Sequence, residues 1–286
     1  MNSPEIACGV NVYCSGPDAP DLPAALDDMA GVGYSHIALS PFSKDDLDVA
    51  ALKKALADSG VRPIPMSGQA PDANVSSPDE AVRAKGLDLL KSSIDLAHEL
   101  GADQLNGVVY ALFGDHQEPF SAERIAESAR LVGQAADYAK GAGIRMTFEV
   151  VNRYETSMLN TAVQAIDYVR QSGSDNLFVH LDSYHMGIEE ADIPAAVRSA
   201  LPVLGYLELG QSGRGSLLTG SVDIRGAVQA AKDAGYTGRF GLEAFTRQLL
   251  PAGGANGLAI WRQTYTDPHA LAAEAVDIVR SVYAGQ

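Results

Sequence analysis

IRMTFEV at 144–150, LFVHLD at 177–182, LGYLEL at 204–209 and RFGLEAF at 239–245 decide how this sequence folds. Each is a short apolar run carrying one acidic residue at or near its end: Glu149, Asp182, Glu208 and Glu243. Runs of this length and apolarity read as parallel strands buried on both faces. Working outward, the same reading gives CGVNVY (8–13), HIALSPF (36–42), RPIPMSG (62–68) and QLNGVVY (104–110). Between them lie helical patterns such as DVAALKKALADSG and AERIAESARLVGQAADYAKGAG. Several end in glycine, at Gly33, Gly60, Gly101, Gly143 and Gly235, as a helix stop requires. Ser77-Pro78-Asp79-Glu80 reads as a helix start with Ser77 as N-cap, and PAGGANG (251–257) as a loop before the last helix. Eight strand–helix units in 286 residues have the size of one closed (β/α)8 barrel, a single TIM-barrel domain over 1–286. A doubly wound open sheet is the rival. Its glycine fingerprint belongs after the first strand, where the sequence reads CSGPDAPD instead. The glycines of Gly210-Gln211-Ser212-Gly213-Arg214-Gly215 are irregularly spaced and come after the seventh strand.

Composition narrows the function. The net charge of −15 leaves no basic stripe for nucleic acid and disfavours an anionic membrane or a heavily phosphorylated substrate. Cys8 and Cys14 are too few for a disulfide framework and read as two reduced thiols in or beside a strand. The first residues lack the charged start and apolar run of a signal peptide, and no window suits a membrane helix. The expectation is a soluble cytoplasmic protein.

Barrel enzymes gather their chemistry at the C-terminal ends of the strands. Four successive strands here deliver Glu149, Asp182, Glu208 and Glu243 to that rim. An acid within an apolar strand is costly unless it is paired or binds a cation. Only Arg214, with Arg153 or Arg247, stands near in sequence to compensate four of them. A divalent metal held by oxygen ligands is the economical solution. Glu155 follows Glu149 in the loop over the barrel mouth, His185 lies three after Asp182, and Arg214 lies six after Glu208. His180 shares the strand face of Asp182 and reads as a core residue or a support to the ligands.

FEVVNRYETSMLNT (148–161), HLDSYHMGIEE (180–190) and GLEAFTR (241–247) resemble the signature segments of the ketose 3-epimerases. This is the D-tagatose/D-psicose (allulose) 3-epimerase group of the xylose-isomerase-like barrels. NVSSPDEAVRAKG (74–86) and GLAIWRQTY (257–265) extend the likeness over nearly the whole chain. The resemblance implies metal ligands at Glu149, Asp182 and Glu243, with Glu208 in the fourth position. It also implies Glu149 and Glu243 as an acid/base pair, and Glu155, His185 and Arg214 on the O1/O2 end of a small sugar. The implied metal is Mn2+ or Mg2+, with Co2+ possible, and the implied assembly is a homodimer or homotetramer. The seventh strand departs from the pattern. The family's histidine ligand, in His-x-Gly-Glu, is here Glu208, and Gln211 replaces the following glutamate. The expected chemistry is C3 epimerisation of a keto-sugar through an enediolate. A lyase or dehydratase of the same superfamily and a non-catalytic sugar-binding barrel are the alternatives.

Overall fold

A computed structural model describes residues 4–42 and 47–285. Eight parallel strands run in the order β3-β2-β1-β8-β7-β6-β5-β4. They are β1 (Ile6–Gly9), β2 (His36–Leu39), β3 (Arg62–Pro65), β4 (Gln104–Leu105), β5 (Arg145–Val150), β6 (Leu177–Asp182), β7 (Leu204–Leu209) and β8 (Arg239–Leu242). The seam between β3 and β4 closes through a parallel bridge, Met66 to Asn106. Asn106 N–H donates to Pro65 O at 3.0 Å and Ser67 N–H to Asn106 O at 2.8 Å. The result is one (β/α)8 barrel, wrapped by helices whose apolar faces join a single large core.

All eight expected strands are present; the sixth and seventh have the expected ends and the others are shifted. The first starts two residues earlier than 8–13 and gives way to a 3-10 turn at Val10–Val12. The second, third and eighth stop at Leu39, Pro65 and Leu242, and the fourth is two residues long. In each case the chain leaves the ladder to build a rim loop, although its residues remain apolar enough to look like strand. The N-cap of the Glu80–Glu99 helix is Asp79, not Ser77: its carboxylate accepts from Ala81 N–H at 2.8 Å. PAGGANG contains a short helix, Ala252–Gly257, in place of the expected loop. Gly33, Gly60, Gly101, Gly143 and Gly235 all take positive φ, the backbone region a helix stop needs. Both cysteines are buried and free.

Alternation along β5–β8 sets which side chains face inward. Phe148 points outward, packing edge-on against Tyr110 at 5.8 Å, so its neighbours Thr147 and Glu149 point in. His180 and Asp182 on β6, and Tyr206 and Glu208 on β7, are the inward set of their strands, in register as His180–Tyr206 and Asp182–Glu208. At the opposite, N-terminal end, Arg239 bonds Glu5, Asp103 and Gln104, plugging the barrel floor with an ion network. Among the described residues no helix is long and apolar enough to cross a membrane.

Candidate active site

Strands β5 to β8 carry the four acids to one place. Glu149 is the fifth residue of β5, Asp182 the last of β6, and Glu208 the fifth of β7. Glu243 follows β8 directly, its N–H still bonded to Leu209 O at 3.2 Å. One oxygen from each of the four lies within 4.8 Å of all the others. Asp182, Glu208 and Glu149 are buried, and Glu243 is nearly so. Asp182 is also the N-cap of the helix Ser183–Glu189, accepting from Tyr184 N–H at 2.9 Å, which fixes its orientation.

One guanidinium answers these charges. Arg214 contacts Asp182 at 3.3 Å and bonds Glu243, while its plane lies 3.5 Å from the centroid of the Tyr184 ring. Its backbone is left-handed, with φ of 54°, and its N–H bonds Gln211 O at 2.7 Å. Gln211 organises this loop. Its amide nitrogen donates to Leu217 O and Val222 O, and its carbonyl accepts from Val222 N–H. A glutamate could not make both donations, so the replacement noted in the sequence gives this loop its own internal scaffold.

His185 sits over Glu149, with Nε2 3.2 Å from Oε1, and lies 3.6 Å from Asp182 and 3.7 Å from Glu155. Its Nδ1 accepts from the Asn152 backbone N–H at 3.1 Å. A backbone N–H can only donate, so Nδ1 keeps its lone pair and the proton is on Nε2, aimed at the carboxylates. Burial pushes the imidazole down to about 4, and it is neutral at physiological pH. Asn152 also holds Glu155, donating to Oε1 at 3.2 Å. The sequence reading missed Asn152 and Tyr184. Both act through contacts with residues far along the chain or through ring stacking, and no local pattern marks them.

The site is thus over-supplied with negative charge. Burial first, then Asp182 and Glu149, pushes Glu208 well above the ordinary carboxylate range. Burial likewise raises Glu243, against the pull of Arg214, and raises Glu155. Hard oxygen donors converging at ligand spacing, with too few cations to balance them, suit a divalent metal.

A pH dependence follows. Groups raised above the usual 4.5 bind more protons folded than unfolded, so the stability they contribute is lost as pH climbs through their folded values. The buried His180 and His185 are lowered from 6.5 and act oppositely, but only below that value. Metal-free protein should therefore lose thermal stability as pH rises above about 6.5, where the histidines no longer offset the acids. Mg2+ or Mn2+ should raise the melting temperature more at the higher pH, because ligands bind metal deprotonated. Thermal scans across that range with and without cation check this. A flat, cation-independent profile would contradict it.

Glu149, Glu155, His185, Glu208, Arg214 and Glu243 all line one cavity of about 250 Å³ at the C-terminal mouth, together with apolar residues such as Val108, Phe113 and Phe245. Residues 26–282 match the family model described as xylose isomerase-like TIM barrel. The ketose 3-epimerase of Arthrobacter globiformis is 35% identical over 276 residues, 96% of each chain. The chain belongs to the ketose 3-epimerase family of xylose isomerase-like barrels. Another family member, the L-ribulose 3-epimerase of Mesorhizobium japonicum, is 33% identical over 92% of this chain and 89% of its own. The structure of a Methylomonas D-allulose 3-epimerase in complex with D-allulose superposes with a TM-score of 0.92, covering 99% of this chain and 98% of the other, at 33% identity.

Proposed function

We propose that this chain epimerises a small ketose at C3, using a divalent metal and two carboxylates. The observation that carries the reading is the convergence of Glu149 and Glu243, from β5 and β8, on one cavity beside a ring of buried acids. The ketose specificity draws on the allulose-bound relative and the L-ribulose epimerase. Glu149, Asp182, Glu208 and Glu243 would hold Mn2+ or Mg2+, with Co2+ tolerated. When bound, such a cation polarises the ketone and stabilises the negative charge that develops on it. Arg214, His185 and Glu155 would orient the O1/O2 end, His185 by donating from Nε2.

One of the pair, Glu149 or Glu243, takes the proton from C3. The C–H electrons become the C2–C3 double bond, and the carbonyl pair moves onto O2. The other carboxyl returns a proton to C3 from the opposite face as the electrons flow back, inverting the centre. Removal of a proton from C1 in place of C3, with return to C2, is aldose–ketose isomerisation, and expulsion of the C4 substituent from the C2–C3 enediolate is elimination.

Metal-reconstituted protein incubated with a panel of ketoses in D2O should place deuterium at C3 of the epimer. Label at C2 would make it an isomerase, and loss of water a lyase or dehydratase. No exchange with any ketose would overturn the catalytic reading.

A further inference from the structure

We propose that the metal centre contains a nitrogen donor: His180 Nε2, with Glu149 and Glu208, forms a cation seat one layer deeper in the barrel than the four-carboxylate ring. This rests on the reading that the cluster binds a divalent metal, and adds His180 as a ligand beside Glu149 and Glu208, which belong to both donor sets.

His180 is fully buried, and among the described residues neither of its ring nitrogens has a hydrogen-bond partner. A buried polar atom left alone is costly, and a missing ion is one of the few things that explains it. Tyr206 meets the imidazole edge-on, with centroids 4.7 Å apart, and offers it no hydrogen bond. Nε2 lies 3.0 Å from Glu208 Oε2, yet off the line a hydrogen bond needs. That is the relation of two ligands to one ion, whose lone pairs converge on the ion and not on each other. A Glu149 oxygen completes the set, all three donor atoms lying within 4.8 Å of one another. Ligands about 2.1 Å from a common ion are separated by roughly 3–4.3 Å, so little movement is needed.

The charge distribution favours the same seat. Arg214 already pairs with Asp182 and Glu243, the outer half of the ring. Among the described residues Glu149 and Glu208 have no Lys or Arg at ion-pair distance. Glu149 meets the neutral His185, and Glu208 meets only Tyr206 at 3.4 Å besides His180. A cation at the deeper seat neutralises the unpaired acids without displacing the guanidinium. It also explains how strand β7 can carry Glu208 in place of a histidine: the nitrogen comes from His180, its register neighbour's strand, one layer below Asp182. Imidazole in the donor set favours Co2+ or Zn2+ over Mg2+.

The test uses Mn2+ alone, added to the metal-stripped protein and followed by pulsed electron paramagnetic resonance. Wild-type protein should show the 14N coupling of one bound imidazole. Among the described residues only His180 and His185 bring an imidazole nitrogen into the acid cluster. The coupling should therefore persist in His185→Gln and vanish in His180→Gln, whose Mn2+ affinity should fall by at least about 10-fold. Should His180→Gln not fold, persistence in His185→Gln still assigns the nitrogen to His180. Bound Mn2+ with no 14N coupling, or coupling lost in His185→Gln, overturns the inference and leaves the metal-dependent epimerase standing. Failure of Mn2+ to bind at all overturns both.

Discussion

Glu149→Gln and Glu243→Gln should each lower turnover by about 10²–10⁴-fold, the usual contribution of a positioned general acid or base, while the protein stays folded and metal-loaded. Glutamine keeps the shape of the side chain and one oxygen for the metal but cannot take a proton. The two residues sit on β5 and just beyond β8, each at the ring and each lining the cavity. Inversion at carbon needs a group on each face, so losing either stops the reaction. Turnover measured beside metal content decides. Two inactive, metal-loaded variants fit the two-face mechanism. One fully active variant would mean that its carboxylate serves only the metal, and the chemistry would then be a one-base isomerisation or an elimination.

Gly107→Ala should be among the most damaging single substitutions outside the acids. Gly107 has φ of 125°, and a Cβ there would lie 2.0 Å from the backbone oxygen of Ser67 and 2.8 Å from its nitrogen. Ser67 stands at the seam where β3 and β4 close the barrel, so the clash is with backbone that has nowhere to go. Strain and overpacking together come to roughly 2–6 kcal/mol, a large share of the stability of a typical domain. The carbonyl of Gly107 also accepts the Glu149 N–H at 3.1 Å, so the same shift misplaces a proposed base. Gly60→Ala is the control. It too has positive φ, but nothing lies within 4 Å of the added carbon, and it should cost only about 1 kcal/mol. Melting curves of the two variants separate steric clash from backbone strain. Equal melting temperatures would mean the seam can open.

Much of the active end could be read from the chain because the signals are local. An acid closing an apolar strand is visible in five or six residues, and strands of a barrel necessarily bring such ends to one rim. Glu149, Asp182, Glu208 and Glu243 were accessible that way, and so was their neighbour His185, three positions past Asp182 at the start of a helix. Strand ends were harder. Residues 66–68 and 106–110 are apolar enough to continue a strand, but the barrel needs them for its rim, and nothing within the segment says so.

By itself, then, the sequence determined the alternation of strands and helices, the barrel it implies and the four acids it must gather. These follow from apolar periodicity and from the cost of burying charge. The tertiary structure alone decided how the charges are shared. Arg214 pairs with Asp182 and Glu243 across 32 and 29 positions of chain, Asn152 sets the tautomer of His185 across 33, and His180 meets Glu208 from the next strand. Strand periodicity says which face a side chain takes, but not which of the residues on that face come within bonding distance. That depends on barrel closure and on the β6–β7 register, with its shift at Val179/His180, and both are properties of the whole fold.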